Sequence, residues 1–434
     1  MHRGSDRTPL GSPGPNRAQR RASVRRRATA VGSAALLTTA AGVVGLWPSV
    51  PAGADPFGVT TCANDGIGSL REALGYADAN PGPDVITITA SCPAASPVAL
   101  TSDLDITAGD VTITGPGAAD FVLDGGDTVR ILRVATTGDV ALSGMTLRNG
   151  FSGGAGGAIL LSEAGSLTLS GVVVADSHGL FGGALYAANS DTGSLVVVDS
   201  LFDGNTADAG GAFYLGNDGG ITISSSTFTE NTATSGSGAI GVYAATGTFT
   251  MTNSTVTGNT AGTRGGGIFF SGLYDDVTLL FNTIADNAAA EAGGVDARGV
   301  VNDVTIVGNV FTGNDGDQAR FGAGWTVTEH HNDFHGTVVG FTPDATDLDV
   351  DPQLAALADN GGQTPTRALA ATSPVIDHGP ATWPAFPGEA YDQRGTPYVR
   401  VFGGAADMGA FEWQVLPEPP GPTPEPTPEP NFTG

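Results

Sequence analysis

Three carboxylates end matched stretches of this chain: Asp176 in VVVADS, Asp203 in SLFDGN and Glu230 in TFTEN. Two carboxylates about 5 Å apart cleave a glycosidic bond through a covalent intermediate, and a pair about 6.5–9.5 Å apart does so through an activated water. The same oxygens also suit Ca²⁺. If the stretches stack as successive coils, neighbours in this acidic line fall about 5 Å apart. Their register differs by one: Asp176 and Glu230 stand one residue before a recurring polar position, and Asp203 stands two before it.

Other residues invite other chemistry. Tyr186, Tyr214 and Phe269 share an outward position, a row suited to stacking on sugar rings and equally to bracing neighbouring strands. Gly241 interrupts that row. The run DATDLDVDPQL offers Asp344, Asp347, Asp349 and Asp351 as calcium ligands, although it lacks the glycine and terminal glutamate of an EF-hand loop. Calcium is therefore the candidate cofactor. His330, His331 and His335 lie in TEHHNDFHG without a carboxylate at helical spacing. Asp208 and Glu291 are three coils apart, roughly 14 Å, too far to act together on one glycosidic bond. Arg264, one coil from Glu291, reads as its ion-pair partner. No GxSxG, P-loop, dinucleotide, CxxC or HExxH pattern is present.

What positions these residues is a repeat. The polar position recurs at Asn149, Ser177, Asn205, Asn231, Asn259, Asn287 and Asn314, at spacings of 28, 28, 26, 28, 28 and 27. Before each stands a short run with period two, such as SLVVVDSLF, GITISSSTF and TFTMTNSTV, rich in Val, Ile, Thr and Phe. No helical stripe and no LxxLxL pattern competes. The reading is an all-β chain, a right-handed parallel β-helix with one repeat per coil. Val174, Phe202, Phe228, Val256, Ile284 and Phe311, each three residues before the polar position, then stack inward. The Asn residues form a ladder from coil to coil, sited at a turn where Asn tolerates unusual backbone angles.

The chain ends differ from the middle. Residues 1–54 read as a signal peptide: a basic region with Arg17, Arg20, Arg21, Arg25, Arg26 and Arg27, an apolar run from Ala34 to Leu46, and Ala52-Gly53-Ala54 as a cleavage pattern. That segment holds eight Arg and one Asp, so the remainder carries 10 basic and 43 acidic residues. Such a charge repels nucleic acid. The mature part has no apolar stretch long enough to span a membrane. Cys62 and Cys92 are the only cysteines, and export makes a disulfide between them the default. Between them, Ser69 and Glu72 form a capping box, and Leu70, Ala73, Leu74 and Ala77 make one apolar stripe. A short helix lying across the first coil is expected there. Residues 84–325 read as the β-helix, 326–414 as an aperiodic far-end module, and 415–434 as a Pro/Glu-rich linker.

SLREAL with Cys62 upstream, followed by DVITI, resembles the CSLREA-type segment of secreted bacterial β-helix proteins, placed here over residues 55–83. The cysteine stands seven residues before Ser69 instead of beside it. NGGQTPTRALAATSPVIDHG, DQRG and DMGAFE resemble the choice-of-anchor Q-type domain. The resemblance implies extracellular display and supplies no catalytic residues.

Two functions follow as expectations. The first is a secreted or cell-surface, non-enzymatic protein presenting a rigid face to an extracellular glycan or a cell-surface partner. The second is an extracellular polysaccharide lyase or glycoside hydrolase acting through the acidic line.

Overall fold

The computed structural model describes residues 55–414, except 81, 164, 188–192, 217–218, 244–246, 323–324 and 382–389. The expected signal peptide and the Pro/Glu tail lie outside the described residues.

Short alternating runs cannot bury a face alone, so each pairs with the equivalent run one repeat on. Among the described residues this gives three parallel sheets of eleven, ten and ten strands, with a three-stranded sheet beside them. The first runs from Asp55–Val59 to Thr326–His330, the second from Leu104–Ile106 to Val338–Val339, and the third from Val98–Ala99 to Asp333–His335. The chain is a parallel β-helix, as its periodicity requires. It extends past both expected limits: Asp55–Val59 already pairs with Asp84–Ile88, and strands continue to Val339. The early strand was hidden by its Pro and Gly, and the late coils by their shorter repeat.

The inward column holds. Val174, Phe202, Phe228, Val256, Ile284 and Phe311 are fully buried, and Phe202 stacks on Phe228 at 4.7 Å between ring centroids. Phe213 meets both rings edge-on at 4.5 and 5.0 Å, the arrangement the ring quadrupole favours.

The Asn ladder is present and is doubled. Asn205 Nδ2 donates to Asn231 Oδ1 at 3.0 Å, and the pattern repeats through Asn259, Asn287 and Asn314 at 2.9 Å. A second ladder runs through Ser200, Ser226, Ser254, Asn282, Asn309 and Asn332, two residues before the inward column. The two ladders bracket the third sheet at its corners, where the turning backbone leaves N–H groups that the strands cannot satisfy. Two details of the sequence reading change. Asn149 pairs with the Asp176 position, and Gly150 takes the ladder position, donating its N–H to Ser177 Oγ. The left-handed backbone belongs to the residue before the ladder: Asn149, Asp176, Glu230 and Asp286 all have φ between 50 and 56°.

Helix α1 (Leu70–Ala79) closes the first coil. Ser69 Oγ accepts from Glu72 N–H, Glu72 Oε2 accepts from Gly68 N–H, and the four stripe residues are buried. Cys62 and Cys92 are bonded. No helix among the described residues is long and apolar enough to cross a membrane.

The C-terminal module is not confined to the far end. Leu348 pairs with Asp333 on the last coil, and the chain then returns along the outside of the third sheet. It covers the outward column Thr227, Thr255, Thr283 and Val310, all buried. Val310 joins Leu369, Val375, Met408 and Phe411 in a second small core. The NGGQTPTRAL, DQRG and DMGAFE stretches supply this seam, with Arg400 between the last two: Thr364 donates to Ser225 O, Gln393 donates to Thr227 Oγ1, Arg400 donates to Asn253 Oδ1, and Ala410 N–H donates to Thr283 Oγ1. Aperiodic segments with few apolar residues need an existing surface to fold against, and the solenoid flank provides it.

Candidate functional site

The acidic line does not form a column. Asp203 is in register with Ala175 and Thr229 and is buried. Asp176 and Glu230 occupy the left-handed turn position, with Gly204 between them on the intervening coil. Asp203 is offset by one residue from that turn position, and Asp176 and Glu230 stand two coils apart, roughly 10 Å. Asp176 N–H donates to Asp203 O at 3.0 Å, so these two residues are neighbours on adjacent coils, in different columns.

The four aspartates of residues 344–351 also separate. Asp344 and Asp347 approach Glu329, each offering one oxygen within 4.8 Å of the others, the one such metal-competent grouping among the described residues. Asp349 instead accepts from Gly336 N–H, and Asp351 accepts from Gln353 N–H. Counted at one oxygen each, the three carboxylates supply half or fewer of the roughly six to eight oxygens Ca²⁺ takes. One is already engaged: Asp347 Oδ1 accepts from Asn332 N–H at 2.7 Å and terminates the second ladder. Glu329 stands in the inward column after Leu279 and Ile306. Burial first, and then Asp347 beside it, pushes its carboxyl up to about 8. His330 Nδ1 lies 3.0 Å from His331 Nδ1, while His335 lies 3.9 Å from Asp349, so the three histidines do not converge with carboxylates on a metal position. Burial lowers the His331 pKa.

Arg264 does pair with Glu291, at 3.4 Å, and Glu291 is shared with Arg298. Asp208 accepts from Thr234 Oγ1, well away from Glu291. Both are surface features of the solenoid.

The aromatic row is the feature that grows. Tyr186, Tyr214, Gly241 and Phe269 share one outward column of the second sheet. Gly241 is no gap, because Tyr243 folds back over it. The Tyr243 ring stacks on Tyr214 at 4.1 Å and meets Phe269 edge-on at 5.7 Å. Tyr186 stacks on the other face of Tyr214 at 5.3 Å. Sequence reasoning missed Tyr243; its signal was a glycine in the column with a tyrosine two residues on. Burial raises the Tyr243 phenol to about 12, against its hydrogen bond with Ser237 Oγ. Burial and the neighbouring Tyr186 also raise Tyr214. Phe269 is buried, so it braces the stack instead of facing solvent.

Beside this stack lies an exposed shoulder that sequence reasoning did not identify. Phe151, Leu180 and Phe181 are 38, 40 and 37% exposed. Phe181 packs on Tyr214 at 5.2 Å, and Phe151 stacks on His178 at 5.8 Å. Residues on the turns between the third and second sheets carry this shoulder. Arg130 stiffens one of these turns by donating to Ser152 Oγ, Ala155 O and Gly156 O while pairing with Asp103.

A family model described as right handed beta helix region matches residues 99–284 and 157–342. Among solved structures, the chain is similar to the crystal structure of pectate lyase Pel9A, with 14% identity and a TM-score of 0.36, over 83% of this chain and 98% of that one. No curated protein matches the chain.

Proposed function

Because the chain belongs to the right-handed β-helix family, whose coils hold surface residues in fixed rows, we propose that it is a secreted, non-enzymatic protein that presents its second-sheet flank to glycans of a cell or matrix surface. The observation that carries this reading is the aromatic stack Tyr186–Tyr214–Tyr243 with the exposed shoulder Phe151, Leu180 and Phe181 beside it. Exposed apolar clusters on a soluble protein mark contact surfaces, and aromatic residues supply large contact area at low entropic cost. The Cys62–Cys92 disulfide supports an oxidising compartment.

Catalysis finds less support. Asp203 stands one residue out of register with Asp176 and Glu230, so the three carboxylates do not make one repeating column. The discriminating experiment incubates the mature chain with a panel of extracellular polysaccharides and measures both retention and new reducing or unsaturated ends. Retention without new ends is the expected result. Polymer cleavage that disappears in Asp203→Asn or Glu230→Gln would establish the hydrolase or lyase reading instead.

A further inference from the structure

The aromatic shoulder is not a consequence of the repeat. The column containing Phe181 holds Ala155 one coil before it and Ala209 one coil after it, and Gly236 and Arg264 pair in a further bridge. The column containing Phe151 and His178 passes to Thr206, and Thr260 pairs with Ala288 further along. The fold accepts small or polar residues at these places, so it does not require rings on the two coils where they occur. The turns that carry them are held firmly: Leu180 N–H donates to Gly154 O at 2.7 Å, His178 Nδ1 lies 2.9 Å from Thr206 Oγ1, and Arg130 clamps the turn below Phe151. A site whose turns are fixed in advance loses less freedom on binding.

The long stack is not itself the contact. Tyr214 has Tyr186 on one face and Tyr243 on the other, both within 20° of parallel. Its ring faces are occupied, and only edges point outward. The shoulder rings keep exposed surface. The charge of the molecule selects among ligands. The full chain carries a net charge of −26, with 44 acidic residues against 18 basic ones, and eight of those 18 precede residue 55. A polyanionic glycan would be repelled by such a protein. An uncharged one is not, and its C–H faces suit exposed rings.

Resting on the glycan-presenting reading, we infer that the ligand is a neutral glycan, held on the turn shoulder formed by Phe151, His178, Leu180 and Phe181, with the tyrosine stack as the wall behind it. Affinity electrophoresis of the full mature chain through gels containing β-glucan, mannan or xylan tests this, with polygalacturonate as the charged control. At least one neutral polymer retards the native chain and polygalacturonate does not. Phe151→Ala and Phe181→Ala each weaken retardation roughly tenfold, with unchanged circular dichroism and thermal midpoint.

If neither a neutral polymer nor polygalacturonate retards the native chain, the glycan-presenting function itself falls; retardation by polygalacturonate alone leaves that function standing and overturns the neutral-ligand assignment. If retardation is undiminished in both phenylalanine variants, the function stands and the shoulder assignment is overturned. Equal retardation by polygalacturonate overturns the neutral-ligand assignment. A dimer seen by light scattering that Phe181→Ala dissolves makes the shoulder a self-interface and also overturns the inference.

Discussion

Gln393 Nε2 donates to Thr227 Oγ1 at 2.7 Å, and its Oε1 accepts from Thr255 Oγ1 at 2.6 Å, so one buried amide from the C-terminal module joins two successive coils of the solenoid. Thr364, from the module, accepts a further Nε2 hydrogen bond at 2.9 Å. All four residues are at most 3% exposed. A buried amide satisfied by three hydroxyls fixes the module in a single register along the flank.

Replacing Gln393 with Ala leaves Thr255 Oγ1 without its acceptor in a dry seam and removes one bond each from Thr227 and Thr364, which still donate to Pro365 O and Ser225 O. The expected cost is about 2–3 kcal/mol, concentrated on the module. Limited proteolysis should then cut within residues 342–413 before it cuts the coils. A variant as resistant there as the parent would show that apolar contacts alone hold the seam.

Asn259 lies mid-ladder, donating to Asn287 Oδ1 at 2.9 Å and accepting from Asn231 N–H and Nδ2. Asn259→Ala leaves partners unsatisfied on both neighbouring coils and should cost about 3 kcal/mol. Thr260→Ala, one residue away and exposed, should cost under about 0.5 kcal/mol. Urea midpoints of the two variants measure the contrast; similar midpoints would remove the ladder as a source of stability.

The last coil should make stability pH-dependent. Asp333 is fully buried, its Oδ2 makes no hydrogen bond, and its carboxyl is pushed up to about 7, first by burial and then by Asp349 and Asp351, against the Val350 N–H. Glu329 rises to about 8. The folded state therefore binds more protons than the unfolded chain, and stability falls as pH rises from about 4 toward 8. Asp333→Asn and Glu329→Gln remove the titrating groups. Their thermal midpoints should gain on the parent as pH increases from 5 to 8; parallel curves would show both carboxylates ionised without penalty.

Gly241 makes room for Tyr243. A Cβ there would collide with the Tyr243 ring and with Ser237 Oγ. Gly241→Val should displace the ring at about 1–3 kcal/mol and alter near-ultraviolet circular dichroism from the tyrosine stack. An unchanged spectrum would mean that the stack does not depend on this opening.

The repeat was legible because stacking is enforced by chemistry that the chain spells out locally. Strands with period two bury Phe202 and Phe228, and an amide at a fixed offset can bond to its own copy one coil on. The second ladder was equally present in the text as Ser226, Ser254 and Asn282, two residues before the inward position, but hydroxyls and amides alternating in one column obscured it. Helix α1 was legible from Ser69, Glu72 and its four-residue stripe, because a cap is a local object.

What the sequence determined by itself was the coil, its core column, its first cap and the pairing of its two cysteines, all set by spacing along the chain. Tertiary structure alone decided which surface residues meet. A one-residue offset put Asp203 on a strand, in register with Ala175 and Thr229, and Asp176 and Glu230 at the left-handed turn that follows. Tyr243 entered the aromatic row by reaching over a glycine, and the C-terminal module chose the Thr227–Thr255–Thr283 flank through contacts more than a hundred residues apart in sequence. Periodicity fixes which positions repeat; it does not fix where an aperiodic segment lies down, because that is settled by complementarity between surfaces that exist only after the coils have formed.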